Sequence, residues 1–264
     1  MSKRITETKT EYERLTLNER IQHLVLLISF TTLAITGFMV EIPASWISAL
    51  RLDYPTLFEI RGLIHRIAAV ILILDSLYHL GYLSFTSRGR WQLRELLPRT
   101  KDLFDIIQVV KHYRNPDEPM PKFDWFNYKE KAEYWALVWG NMVMSITGAM
   151  LWFEQYTPKL FLDIAAVVHT YEALLAVLAI IVWHFYNAHL NPEVFPMSRI
   201  WLHGTISEEE LLARHPLAYE KVTALVTREV ELPKRAKRKW SKIFVLAAVV
   251  FIALVFIGFA TSVE

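Results

Sequence analysis

Nine histidines occur in the chain, and five of them, His23, His65, His79, His169 and His184, fall in or at the edge of long apolar stretches. An ionisable ring at membrane depth is costly, so it marks a function more often than a packing choice. His65 and His79 are fourteen positions apart, and His169 and His184 fifteen. At about 100° per residue, fourteen residues return within about 40° of the starting face and fifteen within about 60°, so each pair shares a helix face. His189, twenty residues beyond His169, falls about 200° around and is expected to point elsewhere. With a rise of about 1.5 Å per residue, the pairs define two levels roughly 21 Å apart. Facing imidazoles at two depths are the donor set that two stacked haems with bis-histidine ligation require.

The elements that must position these rings are legible as blocks. Hydrophobic residues make up 53% of 264, and they gather in five stretches near residues 21–40, 60–83, 134–153, 160–186 and 243–260. Each is long enough to cross a bilayer as a helix. The fold expected is therefore all-α: an integral membrane helix bundle with a four-helix dihaem core and a fifth, C-terminal transmembrane helix. The first twenty residues are polar and carry no secretory signal pattern, so the first span is expected to stay in the mature protein.

Lys and Arg set the orientation. Of 29 such residues, five lie in residues 1–20, ten in 88–131 and ten in 199–242. The positive-inside rule places these segments and the N-terminus in the cytoplasm and the C-terminus outside a bacterial or archaeal cytoplasmic membrane. On that topology His65 and His169 are outer, and His23, His79 and His184 inner. The basic "KRAKRKW" borders the fifth span and reads as an anchor against membrane lipid, with no nucleic acid implied. Zero cysteines exclude an iron–sulfur cluster, attached c-type haem, thiolate zinc and disulfides from this chain.

In "KDLFDIIQVVKHYR" the apolar residues recur at helical spacing, as in a helix lying in the membrane interface. Ser207 and Glu210 carry a capping-box pattern. An internal echo, "ITGFM" at 35–39 and "ITGAM" at 146–150, puts Gly37 and Gly148 where another helix or a flat ligand can approach closely. Asp75 precedes His79 by one turn, a carboxylate–imidazole pair able to carry protons or to bond structurally. Glu172 follows His169 by one turn and can orient or tune it.

"RIQHLVLLISFTTLAITGF", "IHRIAAV", "FNYKEKAEYWALVWGNMVMSITGAMLWF", "VVHTYEA", "VWHFYNAH" and "HGTISEEELLARHPLAYEK" occur in this order. Together they resemble the membrane cytochrome b subunits of formate dehydrogenase and nickel–iron hydrogenase, over about residues 15–222. The resemblance implies a dihaem domain at 1–222, followed at 223–264 by a basic segment and a fifth span that have no counterpart there. It implies two haem b, the outer held by His65 and His169 and the inner by His23 and His184. In that family the fourth-span spacing is fourteen; fifteen here requires one residue to be absorbed by a π-bulge or tilt. A pairing of His65/His79 with His169/His184, leaving His23 free, resembles instead the cytochrome b of bc complexes. Arg20 and Arg66 are candidate partners of haem propionates.

The resemblance also implies a quinone, menaquinone or ubiquinone, at the inner haem beside the start of the third span. There Asn127, Glu130 and Lys131 are candidate contacts, with Glu130, His79 and Asp75 candidate proton carriers. Lys129 and Glu130 stand where the family usually has glycine and glutamine. The expected function is an electron-transfer subunit of a respiratory oxidoreductase complex, working between an outer-face partner and the quinone pool. Its partner would be an iron–sulfur subunit with a molybdenum or hydrogenase catalytic subunit, or a multihaem cytochrome c. The fifth span fits packing against that partner or against a second copy. Family habit suggests electron flow from outside to quinone. A haem-free transporter or membrane anchor is the alternative, distinguishable by the absence of colour in the membrane fraction.

Overall fold

The computed structural model of the protein describes residues 11–49, 53–192, 194–195 and 197–226. The expected fifth span at 243–260 and most of the segment 223–264 lie outside the described residues. Four long helices dominate: α1 (Leu17–Phe38), α3 (Tyr54–Phe85), α6 (Tyr128–Trp152) and α7 (Lys159–Leu178). A short α2 (Ala44–Ala49) follows α1. Amphipathic α4 (Ser87–Leu96) and α5 (Thr100–Arg114) follow α3. Two stretches, Leu17–Glu41 and Lys159–Leu190, are long and apolar enough to cross a membrane by length and composition.

Local chemistry sets the helix starts. Thr16 accepts from the Glu19 N–H while the Glu19 carboxylate accepts from the Thr16 N–H at 2.7 Å, a reciprocal capping box opening α1. Asn127 and Glu130 do the same for α6: Asn127 Oδ1 accepts from the Lys129 and Glu130 N–H groups, and Glu130 accepts from the Asn127 N–H at 2.9 Å. Ser207 accepts from the Glu210 N–H, as expected, and starts α9 (Glu208–Arg214).

The burial pattern is inverted relative to a soluble bundle. Along α1 the buried residues include Gln22, Ser29 and Thr36, whereas Ile28 and Ile35 are 59% and 61% exposed. Ser29 and Thr36 return their hydroxyl hydrogens to carbonyls one turn back, at 2.7 and 2.6 Å, which satisfies them inside the helix. Apolar surface on this scale belongs in contact with lipid, not water. The interfacial reading of α5 has the same support: Asp105 and Val109 are buried, and Leu103, Phe104 and Ile107 are exposed.

α1 packs along α3, and α6 along α7, while the two hairpins touch each other only sparsely. Between them lies a cavity of about 2640 Å³. One end of the cavity meets a small cap. There β1 (Glu11–Glu13) pairs antiparallel with β2 (Thr205–Ser207), and Trp125, Ile206, Leu211 and Ala218 form a core with α9 and α10 (Pro216–Val226). Gly204, between α8 (Ile200–His203) and β2, has φ +83°, and its carbonyl accepts from the Arg14 and Leu15 N–H groups at 2.8 and 2.9 Å. A Cβ there would meet the Leu15 carbonyl oxygen at 2.4 Å, so the approach requires glycine.

Candidate metal centres

His65 of α3 and His169 of α7 face each other across the cavity, their ring centroids 6.5 Å apart. Thr36 Oγ1 contacts His65 Nδ1 at 2.8 Å, and Thr147 Oγ1 contacts His169 Nδ1 at 2.9 Å. Each hydroxyl has one hydrogen, which it donates back to a carbonyl in its own helix, at 2.6 Å for Thr36 and 2.7 Å for Thr147. Each therefore accepts from the imidazole Nδ1–H. That fixes the tautomer and leaves both Nε2 lone pairs free, the arrangement a ligating histidine needs. Metal–imidazole bonds of about 2.0 Å on both sides of one ion would separate two ring centres by about 6 Å. The pair fits an iron between them.

The second level is built differently. His184 Nδ1–H donates to the Glu133 carboxylate at 2.8 Å, and the second Glu133 oxygen accepts from Asn187 at 3.0 Å. Its Nε2 is likewise left for a metal. His23 comes from α1, packs 6.2 Å from the Trp201 ring, and interacts electrostatically with His184. Among the described residues no group of three or more His, Asp or Glu side chains could hold a metal ion. Iron between two imidazoles would therefore take its remaining donors from a macrocycle, and the cavity exceeds the roughly 300–1,000 Å³ of a pocket for a drug-sized ligand.

The family model of prokaryotic cytochrome b561 (Ni_hydr_CYTB) matches residues 14–201. The chain belongs to that family. No curated protein matches the sequence. Membership makes this cytochrome b561 a prokaryotic membrane haem b electron-transfer protein. The cytochrome fold is a membrane helix bundle, and a b-type haem is the group its paired imidazoles suit.

His79, the fifth candidate, is placed apart from the other four. Its Nδ1–H donates to Gln22 Oε1 at 2.7 Å, and its Nε2 accepts from the Tyr134 hydroxyl at 3.2 Å. Both nitrogens are engaged, and the ring does not line the cavity. Asp75 lies one turn away on α3, half-buried, while His79 takes its partners from α1 and α6.

The other sequence-derived residues divide by position. Arg66, Gly37, Gly148, Glu172, Asn127 and Glu130 line the cavity. A Cβ on Gly148 would meet His169 Cε1 at 3.2 Å, one on Gly37 would meet His65 Cε1 at 3.7 Å, and one on Gly140 would meet Glu172 Oε1 at 2.9 Å. Arg20 and Lys131 are not in the lining. Arg20 donates to the His203 carbonyl at 2.7 Å, and buried Lys131 pairs with both Asp102 oxygens at 2.8 Å. Glu130 pairs with Arg14 at 3.2 Å and stands 3.9 Å from His215 Nε2. Burial pushes its carboxyl up, but Arg14, His215 and the Asn127 N–H outweigh this and hold it below its ordinary range.

Three residues escaped sequence reading. Thr36 and Thr147 stood in the echo that was credited to its glycines, and each precedes the glycine that makes room for the imidazole. Glu133 sat unremarked in "KEKAEYW". A fourth reading is corrected. His189 does not point elsewhere, because α7 continues in π-helical form over Ala179–His184 and Tyr186–Leu190. The i→i+5 bonding adds a residue per turn. It absorbs the fifteenth position between His169 and His184, and it brings His189 onto the cavity wall with His23 and His184.

Proposed function

We propose that the chain is a dihaem b-type subunit carrying electrons between an outer-face redox partner and the quinone pool, with His65/His169 and His23/His184 as the axial pairs. The observation that carries this reading is the outer pair: two rings 6.5 Å apart, each with Nδ1–H given to a threonine. The four long helices serve as the spans of the dihaem domain 1–222, with the N-terminus and cap cytoplasmic. Bound haem supplies one-electron carriage at two depths.

The residues of this chain do the rest. Arg61, whose Nη1 donates to the Thr36 carbonyl at 3.1 Å, and Arg66 are the cations that line the outer cavity near His65 and can meet propionates. Tyr134 lines the cavity, and its hydroxyl already donates to His79. A quinol proton handed to Tyr134 Oη can pass to His79 Nε2, while Gln22 holds Nδ1–H. Asn127 Oδ1 is committed to capping α6, so its amide group is what remains for a quinone carbonyl. Glu130 stays ionised beside Arg14 and serves to fasten the cap. The partner subunit supplies the iron–sulfur, molybdenum, hydrogenase or c-haem chemistry that a chain without cysteine lacks.

The test is haem b per polypeptide by pyridine haemochrome, on wild type, His23→Ala and His79→Ala. Two haems in wild type and in His79→Ala, with one in His23→Ala, are expected. Loss in His79→Ala alone would move the inner site to the bc-like arrangement, and a colourless wild type would end the electron-transfer reading.

A further inference from the structure

At the inner level the cavity is lined by one imidazole more than an axial pair uses. His184 has its Nδ1 fixed by Glu133, and His23 faces it from α1. His189 lines the same cavity and interacts electrostatically with both. In a regular α-helix His184 and His189 would diverge by about 140°; the i→i+5 turns, closed by the Asn191 N–H on the Tyr186 carbonyl at 2.8 Å, sharply reduce that divergence. Local π-helix is retained mostly where it re-aims a side chain at a functional site.

His189 Nδ1 is buried and has no hydrogen-bond partner among the described residues. An unsatisfied buried polar atom is costly, so such a group persists where an occupant of the site completes it. The environment narrows that occupant. The Phe185 ring stands edge-on 4.9 Å from His189, and the exposed side chains of Leu190 and Met197 also line the cavity. An aromatic edge, an unpartnered ring nitrogen that can carry the imidazole hydrogen, and exposed aliphatic surface suit a flat, lipid-soluble ring bearing a carbonyl acceptor.

Building on the quinone reading above, we infer that His189 is a substrate-binding residue that donates a hydrogen bond to a quinone carbonyl beside the inner haem, without ligating the iron. The geometry separates its duty from that of Tyr134 and His79, which approach from the α3/α6 side.

The test uses membranes or purified full-length protein carrying His189→Leu and His189→Gln. Haem b per polypeptide and haem midpoint potentials in quinone-depleted samples should match wild type. The KM for haem reduction by a short-chain quinol should rise about tenfold in His189→Leu, with kcat little changed, and recover in large part in His189→Gln, which keeps an N–H donor. Haem falling to one would make His189 a ligand and overturn the inference. A shifted potential without quinone would assign the N–H to a propionate and overturn it equally. An unchanged KM with both haems intact would do so as well. Failure of quinol to reduce haem in wild type would instead remove the quinone reading, and this role with it.

Discussion

Glu133→Gln isolates the one charged side chain that holds an inner ring. Its carboxylate accepts from His184 Nδ1 at 2.8 Å and from Asn187 at 3.0 Å, so the amide can keep the shape and one acceptor while losing the charge. A hydrogen bond to a charged group is worth about 1.5–3 kcal/mol and a neutral one about 0.5–1.5. The mid-ranges differ by about 1.3 kcal/mol, close to tenfold in an equilibrium constant. An anion behind the imidazole favours the more positive ferric iron, so its removal favours the ferrous state. For a one-electron couple, tenfold corresponds to about 59 mV. The inner haem potential should rise by about 60 mV, with about 120 mV as the ceiling implied by hundredfold losses on removing a ligand's hydrogen-bond partner. A potentiometric titration of the haem absorbance reads both centres, and the outer haem serves as internal control. Two unchanged potentials, or a shift confined to the centre that His65→Ala removes, would refute the assignment of Glu133 to an inner ligand.

The two glycines of the echo should behave unequally. Gly148→Ala forces a Cβ to 3.2 Å from His169 Cε1 and should lower outer-haem occupancy, whereas Gly37→Ala, at 3.7 Å, should retain both haems by pyridine haemochrome. Thr147→Val leaves His169 Nδ1–H without its acceptor and should weaken outer-haem retention about tenfold in a haem-transfer assay, while Thr147→Ser should keep it. Acid should open the cap. Burial, helped by Arg14 and opposed by Glu130, pushes the His215 imidazole below its ordinary value, so the unfolded chain binds a proton that the folded cap does not. Stability is then lost as pH falls from about 6.5. Glu130, held low, gives way only in stronger acid. Amide exchange around Trp125 and Ile206, corrected for intrinsic rates, should be faster at pH 5.5 than at 7.5; equal protection would contradict this.

The hydrophobic blocks announced the four long helices, though each helix runs past its block: α3 begins at Tyr54 and α6 at Tyr128. Extra turns beyond the apolar window are polar or aromatic and carry no hydropathy signal. Histidine depth and face brought His65 and His169 onto one level because both lie in regular α-helix. The same rule failed at His189, since periodicity assumes about 100° per residue and the backbone there does not obey it. Capping motifs are local and were readable, yet in "FNYKEK" Asn127 and Glu130 read as ligand contacts although the N-x-x-E spacing also spells a capping box. Thr36, Thr147 and Glu133 matter because of which neighbouring helix they meet. No single-sequence pattern encodes that.

Charge around the two levels bears on the direction of flow. His65 interacts with the guanidinium groups of Arg61 and Arg66, and its Nδ1–H goes to a neutral hydroxyl. His184 gives its Nδ1–H to a carboxylate. Cations beside a haem favour the ferrous state, and an anion behind a ligand favours the ferric. In the proposed arrangement both effects set the outer centre above the inner in potential. At zero membrane potential an electron then falls outward, from quinol toward the outer partner. Family habit runs the other way. Inward flow would climb this gradient, so the partner's donor, and not the two haems, would have to supply the driving force.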